Sequence, residues 1–150
     1  MITAKSDVLV FQDVAQVYRF VALDFMTNYP RWSPEVISLK GLSDGPIQPG
    51  YQASQTRVDQ GHKTESTFEV VELSVNQRIV FKGVTAPYCS TYEFDNLNAS
   101  TRLIFTFQLF ELEARLRPFE KLIGLALQEG VKRTIKKLKL LIEKEMLDDD

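Results

Sequence analysis

The chain has 150 residues, of which 44% are hydrophobic and 25% are charged, and its formal net charge is -2 at pH 7. This is the composition of one ordinary globular domain, and the slight negative charge argues against a general nucleic-acid binder. The single cysteine, Cys89, excludes an internal disulfide. Together with the single histidine, His62, it also disfavours a His/Cys zinc site, so neither a metal nor another cofactor is expected.

The N-terminal segment carries charges at Lys5 and Asp7 and lacks the apolar core of a signal peptide. No apolar run approaches the roughly 18 residues of a membrane-spanning helix. These patterns predict a cytoplasmic protein. Residues 1–147 are expected to form a single domain, and residues 148–150 a short acidic tail.

Residues 2–11 alternate between two faces and predict a first strand. Asp13 then resembles a helix N-cap, with Gln16 three residues later. Because the residue before a proline is driven out of the helical region, Pro30 is expected to end this helix. The apolar residues of the helix recur at helical spacing and form one stripe: Val14, Val17, Tyr18, Val21 and Phe25.

Six further strands are expected in the middle of the chain, separated by turn-rich segments such as SDGPIQPG. Their short connections predict antiparallel neighbours, because parallel pairs need a longer crossover. The strands span residues 36–42, 51–59, 63–73, 78–83, 88–94 and 101–112.

The chain closes with a long amphipathic helix, in which Pro118 suits a first-turn position. A sheet of this kind must cover one face, so the helix is expected to lie on it and to leave space for a ligand. The apolar stripe of the helix consists of Phe119, Ile123, Leu127, Val131, Ile135, Leu138 and Ile142.

The chain resembles the START-like (SRPBCC) superfamily, and within it the polyketide cyclase/dehydrase-like branch. This resemblance covers nearly the whole chain. It rests on the element order, the long C-terminal helix, the segment Asn28-Tyr29-Pro30-Arg31-Trp32-Ser33-Pro34 and the turn Gly45-Pro46…Gly50. It implies an α+β helix-grip fold, in which a curved antiparallel sheet of about seven strands wraps around the C-terminal helix. The order is strand, helix with a short second helix, six strands and long helix.

The same resemblance implies a function. Members bind lipids, sterols, polyketides or other hydrophobic molecules in a deep apolar cavity, and some catalyse cyclisation or dehydration. We therefore expect binding or transport of a small hydrophobic ligand, such as a lipid, an isoprenoid or a polyketide, between the sheet and the last helix. Carried over, Asn28, Pro30 and Trp32 fall in a short link beside one end of the cavity. The alternative for Trp32 is a core residue that never touches ligand.

Ligand pockets are mostly apolar with a few convergent polar groups, so aromatic and aliphatic residues are candidates for the cavity wall. For each of them the alternative is ordinary core packing. The candidates are Phe25, Trp32, Phe68, Phe81, Tyr92, Phe105, Phe107, Ile123 and Leu127. Tyr92 is also the one candidate for a catalytic group, because its hydroxyl would be a polar group on a mostly apolar face.

The other reactive residues are not expected to take part in chemistry. His62 follows Gly61 in a turn and is expected in solvent, and Cys89 has no basic neighbour to activate its thiol. Charged strand residues such as Arg57 are expected to pair on the outer face of the sheet, although one could point inward to meet a polar ligand group.

The strongest charge feature is a basic run in the last helix, with Lys132, Arg133, Lys136 and Lys137. One interpretation is transient contact with an anionic membrane surface, without stable insertion. The other is a solvated helix face, with cations placed favourably toward the C-terminal half of the helix.

Three functions remain open from sequence. The first is a carrier of a small hydrophobic molecule. The second is a polyketide cyclase, aromatase or dehydratase-type enzyme acting in the same cavity. The third is a protein-interaction module without ligand, and any of the three could be a monomer or a homodimer.

Overall fold

The computed structural model describes residues 1–148, with side chains described up to residue 145. Seven strands form one antiparallel sheet in the order β1-β7-β6-β5-β4-β3-β2. The strands are β1 (Ile2–Val10), β2 (Val36–Gly41), β3 (Gln52–Asp59), β4 (His62–Ser74), β5 (Arg78–Gly83), β6 (Tyr88–Asn96) and β7 (Thr101–Leu109). The helices are α1 (Val14–Tyr18), a π-helical turn (Arg19–Leu23), α2 (Phe25–Trp32), a 3-10 helix (Ala114–Phe119) and α3 (Glu120–Asp148).

The sheet follows from the alternation in the sequence. In β1, Ile2, Ala4 and Val10 are buried, and in β7 Leu103 and Phe105 are buried on the same side. This face forms the core, and the predicted antiparallel strands are confirmed. Of the acidic tail predicted at residues 148–150, Asp148 is the last residue of α3, and residues 149–150 lie outside the described residues.

The prediction that Pro30 ends the first helix is wrong. The helical segment continues through a π-helical turn, in which Asp24 N donates to Arg19 O at 2.9 Å, and α2 then carries Pro30 in its interior. A proline inside a helix forfeits one backbone hydrogen bond. The burial of Phe25 and Trp32, which are 2% and 1% exposed, offsets that loss. Trp32 therefore lies at the end of a helix and not in a non-helical link.

Helix α3 is well buried only from Val131 onward. Val131, Ile135, Leu138 and Ile142 are 0–4% exposed, whereas Phe119, just before the helix, is 54% exposed. None of the helices described in residues 1–148 is long and apolar enough to cross a membrane.

Helix α3 also covers the free edge of β1. The Gln128 side chain accepts from Lys5 N at 3.1 Å and donates to Lys5 O at 2.8 Å, as a neighbouring strand would. Further along, Lys139 Nζ donates to Leu9 O at 2.6 Å. Unpaired edge groups invite association with other strands, so these side chains protect one of the two edges of the sheet.

Candidate functional site

A small cavity of about 20 Å³, partly open to solvent, lies between α2 and the core face of the sheet. Its walls come from α2 and from strands β3 to β6. The lining residues are Phe25, Tyr29, Gln55, Phe68, Phe81, Tyr88, Ser90 and Tyr92. A space of this size holds about one water molecule.

The apolar wall is a set of aromatic rings in mutual contact. Phe25 of α2 stacks on Tyr29, with ring centroids 4.6 Å apart and an angle of 18° between the rings. It also packs on Phe81, at 4.2 Å between centroids, and Phe68 meets Phe81 edge-on at 5.7 Å. Aromatic pairs in these geometries are favourable beyond their buried area. The cavity is therefore small because rings from α2 fill the space against the strands.

The polar wall is a hydrogen-bonded group on β3, α2 and β6. The Tyr29 hydroxyl donates to Gln55 Oε1 at 2.9 Å. Gln55 Nε2 lies 3.3 Å from both the Tyr88 hydroxyl and Ser66 Oγ, which can accept from it. Gln55 is 5% exposed, and its partners satisfy both ends of a buried amide.

Arg57 is the charged strand residue that points toward this wall. Its Nη1 donates to the Tyr29 hydroxyl at 3.1 Å and to Ser33 Oγ at 3.2 Å. Its other nitrogens hold the Asp59 carboxylate at 3.2 Å and 3.1 Å, a bidentate arrangement that fixes the guanidinium. Burial alone would lower the pKa of Arg57, but Tyr29 and Asp59 outweigh it and raise the pKa, so Arg57 stays charged.

A second polar contact crosses the cavity floor. Trp32 Nε1 donates to the Tyr92 hydroxyl at 3.4 Å. The Tyr92 ring stacks on Phe105, with centroids 4.6 Å apart and an angle of 5° between the rings. Because its oxygen accepts from Trp32, the hydroxyl proton of Tyr92 is left to donate to another group.

The tyrosines of the site are proton donors and not bases at neutral pH. Burial raises the pKa of Tyr92 and of Tyr29, and the raised pKa of Tyr29 persists although the Arg57 guanidinium opposes it. Burial likewise raises the pKa of Tyr88 to about 12, although hydrogen bonds to Ser66 and Gln55 oppose it. Desolvation disfavours the charged phenolate in each case.

The structure brings four of the nine predicted cavity residues to this cavity: Phe25, Phe68, Phe81 and Tyr92. Trp32 and Phe105 lie behind Tyr92, and Phe107 stacks on Tyr88 at 5.8 Å. Ile123 and Leu127 lie half-buried on the first half of α3, and no residue of α3 is among those that line the cavity in the described chain.

Sequence reasoning did not select Tyr29, Gln55, Tyr88 and Ser90. A signal existed for the two β6 residues, because alternation places them on the same side as Tyr92. Gln55 lies two residues after the buried Ala53 on β3, and therefore on the same face of the sheet. Local pattern does not place Tyr29 on a helix, because Pro30 directly after it disfavours the helical conformation.

The remaining reactive residues lie apart from this site. His62 is exposed at the start of β4. Cys89 is half-buried, and burial raises the pKa of its thiol despite a hydrogen bond from Thr91 and the nearby charge of Lys82, so it is not an activated nucleophile.

The fold has relatives among solved structures. A protein of Thermus thermophilus is 19% identical with a TM-score of 0.77, over 93% of this chain and 96% of that one. The Zhui aromatase/cyclase of Streptomyces sp. R1128 is 16% identical with a TM-score of 0.77, over 96% and 94% of the two chains. The di-domain ARO/CYC BexL of the BE-7585A biosynthetic pathway is 21% identical with a TM-score of 0.73, over 95% of this chain and 47% of that one.

At these identities the likeness shows the fold, and it confirms the helix-grip arrangement. No curated protein matches the chain in sequence. The family model described as polyketide cyclase/dehydrase and lipid transport matches residues 1–143 and confirms the resemblance found in the sequence. Since the match spans nearly all of the 150 residues, the chain belongs to the polyketide cyclase/dehydrase and lipid transport family.

Proposed function

We propose that the protein binds a small ligand with a flat apolar body and an oxygen-bearing end, in the space between α2 and strands β3 to β6. The observation that carries the proposal is the convergence of polar atoms into an aromatic pocket. The space is lined by the phenyl rings of Phe25, Phe68 and Phe81 and by five residues that carry polar groups: Tyr29, Gln55, Tyr88, Ser90 and Tyr92. Ligand sites combine an apolar lining with few polar groups in this way.

The polar wall favours a ligand with oxygen acceptors. Neutral tyrosine hydroxyls and the fixed guanidinium of Arg57 are donors, and the latter is already anchored by Asp59. A carbonyl, phenol or carboxylate oxygen could replace the Tyr29 hydroxyl as a partner of Arg57. The rings of Phe25 and Phe81 would then lie against the apolar body of the ligand.

Binding must be accompanied by opening, because a cavity of about 20 Å³ is far smaller than the roughly 300–1,000 Å³ of ligand sites. The movable side is α2, whose Phe25 and Tyr29 fill the space. It is joined to α1 through the π-helical turn and reaches α3 through an exposed ion pair, in which Arg31 Nη2 lies 3.0 Å from Glu145 Oε2. An outward shift of α2 would withdraw both rings together.

The family description supports this proposal, since it covers cyclases, dehydrases and lipid transport. Native mass spectrometry of the protein purified from its own host would reveal a bound ligand as an extra mass that denaturation releases. A bare polypeptide mass together with no binding of the fluorescent probe anilinonaphthalene sulfonate would contradict the proposal.

A matched pair of variants on β6 locates the binding site. Ser90→Leu adds a side chain into the cavity, whereas Thr91→Leu adds the same side chain on the other face of the same strand. We expect Ser90→Leu to weaken probe binding about tenfold or more, and Thr91→Leu to leave it near wild type. Equal affinities in the two variants, both folded by circular dichroism, would place the bound probe elsewhere.

The second candidate function is catalysis of a cyclisation or dehydration in the same pocket. The observation in its favour is that Tyr92 holds its oxygen against Trp32 Nε1 and keeps its proton to donate, with a raised pKa from burial. A neutral phenol of this kind can donate to a carbonyl oxygen as negative charge develops there. Two of the structural relatives are named as aromatase/cyclases.

Tyr92→Phe separates the two candidates. A carrier should bind its ligand with little change, because only one hydroxyl is lost from an apolar wall. An enzyme that uses this hydroxyl should still bind but should lose turnover by about 10²- to 10³-fold, the usual effect of removing one oxyanion donor. A turnover rate unchanged in Tyr92→Phe would remove Tyr92 from the chemistry.

A further inference from the structure

The outer face of α3 carries an apolar patch that the fold does not cover. Leu122 and Leu125 are 66% and 62% exposed, and Phe119, three residues before Leu122, is 54% exposed. Residues three apart on a helix are neighbours, so these side chains form one continuous patch. Isolated exposed leucines are ordinary, but a continuous exposed patch of large apolar side chains indicates an interaction surface.

A basic segment follows this patch along the same face. Val131 is buried and lies nine residues after Leu122, which is two and a half helical turns. The two side chains therefore point in opposite directions, and Leu122 points away from the core. Arg133 and Leu140 follow Leu122 by about three and five helical turns, so all three side chains lie on the same side of the helix. Leu140 is 67% exposed. The exposed cations between the two leucines are Lys132, Arg133, Lys136 and Lys137.

Little negative charge balances these cations. Within the described residues, Lys132 alone among them forms an ion pair, with Glu129 at 3.8 Å. The formal net charge of the whole chain is -2. The basic segment is therefore a local positive surface on a weakly acidic protein, framed by exposed leucines at both ends.

We propose that α3 docks the protein on an anionic lipid bilayer, lying flat on the surface with its outer face toward the headgroups. The cations contact lipid phosphates, while Leu122, Leu125 and Leu140 insert among the acyl chains. A cluster of cations is attracted to anionic headgroups, and exposed leucines beside it add apolar area that can enter the interface. The proposal rests on α3 alone and does not depend on the ligand of the internal pocket.

Charge complementarity favours a bilayer over the other occupants of such a face. A second copy paired through a two-fold axis beside the segment from Lys132 to Lys137 would set that segment against itself, and like charges repel. A nucleic-acid backbone would match the cations but would leave Leu122 and Leu125 in contact with water. An anionic bilayer accommodates both kinds of side chain.

The test is co-sedimentation of the full chain with phosphatidylcholine vesicles, with and without phosphatidylserine. We expect pelleting only with the anionic vesicles and a decrease as salt is raised. Replacing the four cations with glutamine (Lys132→Gln, Arg133→Gln, Lys136→Gln and Lys137→Gln) should weaken binding by about 600-fold, since each basic residue contributes about fivefold.

Two control variants keep the test specific. The first removes the same positive charge from exposed sites elsewhere: Arg19→Gln, Lys40→Gln, Lys63→Gln and Lys82→Gln. It should pellet nearly as well as the wild type. The double variant Leu122→Gln with Leu125→Gln should bind anionic vesicles more weakly than the wild type. The control double variant Val75→Gln with Val84→Gln, at sites that are 73% and 55% exposed, should bind as well as the wild type.

The proposal is overturned by three results. The wild type could fail to pellet with anionic vesicles, or could pellet equally with neutral ones. The two charge variants could lose binding to the same extent, which would make the effect one of net charge. Analytical ultracentrifugation could instead show a dimer that Leu122→Gln with Leu125→Gln dissociates, and the face would then belong to a second copy.

Discussion

Asn28 Nδ2 donates to the carbonyl oxygen of Phe20 at 3.0 Å, and both residues are buried. This bond joins α2 to the π-helical turn that precedes it. The other end of the Asn28 amide accepts from Arg31 Nη1 at 3.0 Å, which orients the guanidinium toward α3. Asn28 therefore holds together the bend that places Tyr29 at the pocket and Trp32 against Tyr92.

Asn28→Ala should lower the free energy of unfolding by about 1–3 kcal/mol, because it leaves the buried Phe20 carbonyl without this donor. Thr27→Ala, at an exposed site on the same helix, is the matched control and should change stability little. Urea denaturation followed by circular dichroism gives both values. Equal losses in the two variants would mean that the Phe20 carbonyl is satisfied without Asn28.

Tyr92→Phe should perturb Trp32 more than it perturbs the fold. The lost hydroxyl accepts from Trp32 Nε1 at 3.4 Å in a buried site, so about 0.5–1.5 kcal/mol of stability should disappear. Trp32 is the single tryptophan of the chain, so its emission reports this site alone. We expect a shift of the emission to shorter wavelength in Tyr92→Phe, and none in Tyr51→Phe. An unchanged spectrum would show that the indole N–H has no partner at Tyr92.

The sequence predicted the sheet more completely than the pocket. Strand alternation depends on neighbours two residues apart, so β1 to β7 could be located from local pattern. The end of the first helix was misplaced because the local preference at Pro30 opposes helix, while burial of Phe25 and Trp32 against the sheet overrides it. That balance depends on contacts distant in sequence.

The pocket itself depends on such distant contacts. Tyr29, Gln55 and Tyr88 meet through three separate elements, and no local pattern marks them as partners. Aromatic residues on strands could be predicted to face inward, as Phe68 and Phe81 do. Whether they leave a cavity or fill it is decided by the rings that α2 contributes, and local pattern does not determine where those rings lie.

Glu143→Ala should destabilise the protein by about 1–2 kcal/mol through the edge of β1. Glu143 Oε2 accepts from Phe11 N and from Lys139 Nζ, both at 2.8 Å, and hydrogen bonds to charged groups are stronger than neutral ones. Glu143→Gln keeps an acceptor for Phe11 N and should recover part of the loss. Thermal unfolding ranks the stabilities of the two variants. If Glu143→Gln is no more stable than Glu143→Ala, the stabilisation comes from the ion pair with Lys139 and not from the hydrogen bond to Phe11 N.

Stability should decline in alkaline solution through Tyr88. Burial raises its pKa from 10.0 to about 12, so between these values the folded state holds a proton that the unfolded state has released. The free energy of unfolding then falls as pH rises, by up to about 1.4 kcal/mol per pH unit for this group, and below about pH 10 the contribution is fully present. Urea unfolding at a series of pH values above about 9 measures the slope. Tyr88→Phe should reduce the slope but not abolish it, because the raised pKa values of Tyr29 and Tyr92 act in the same direction. A slope unchanged by the substitution would assign the alkaline sensitivity to other groups.

Glu145→Ala should make the pocket easier to enter without moving its walls. Among the described residues, Glu145 contacts α2 through Arg31, at 3.0 Å in an ion pair whose side chains are 39% and 41% exposed, so overall stability should barely change. If α2 must shift outward to admit a ligand, loss of this ion pair should raise the association rate of anilinonaphthalene sulfonate by about two- to fivefold. The expected change is small because an exposed ion pair holds α2 only weakly. Stopped-flow fluorescence measures that rate, with Glu129→Ala on the same helix as the control because its ion pair is with Lys132 and not with α2. Identical rates in the two variants would place the moving element elsewhere than α2.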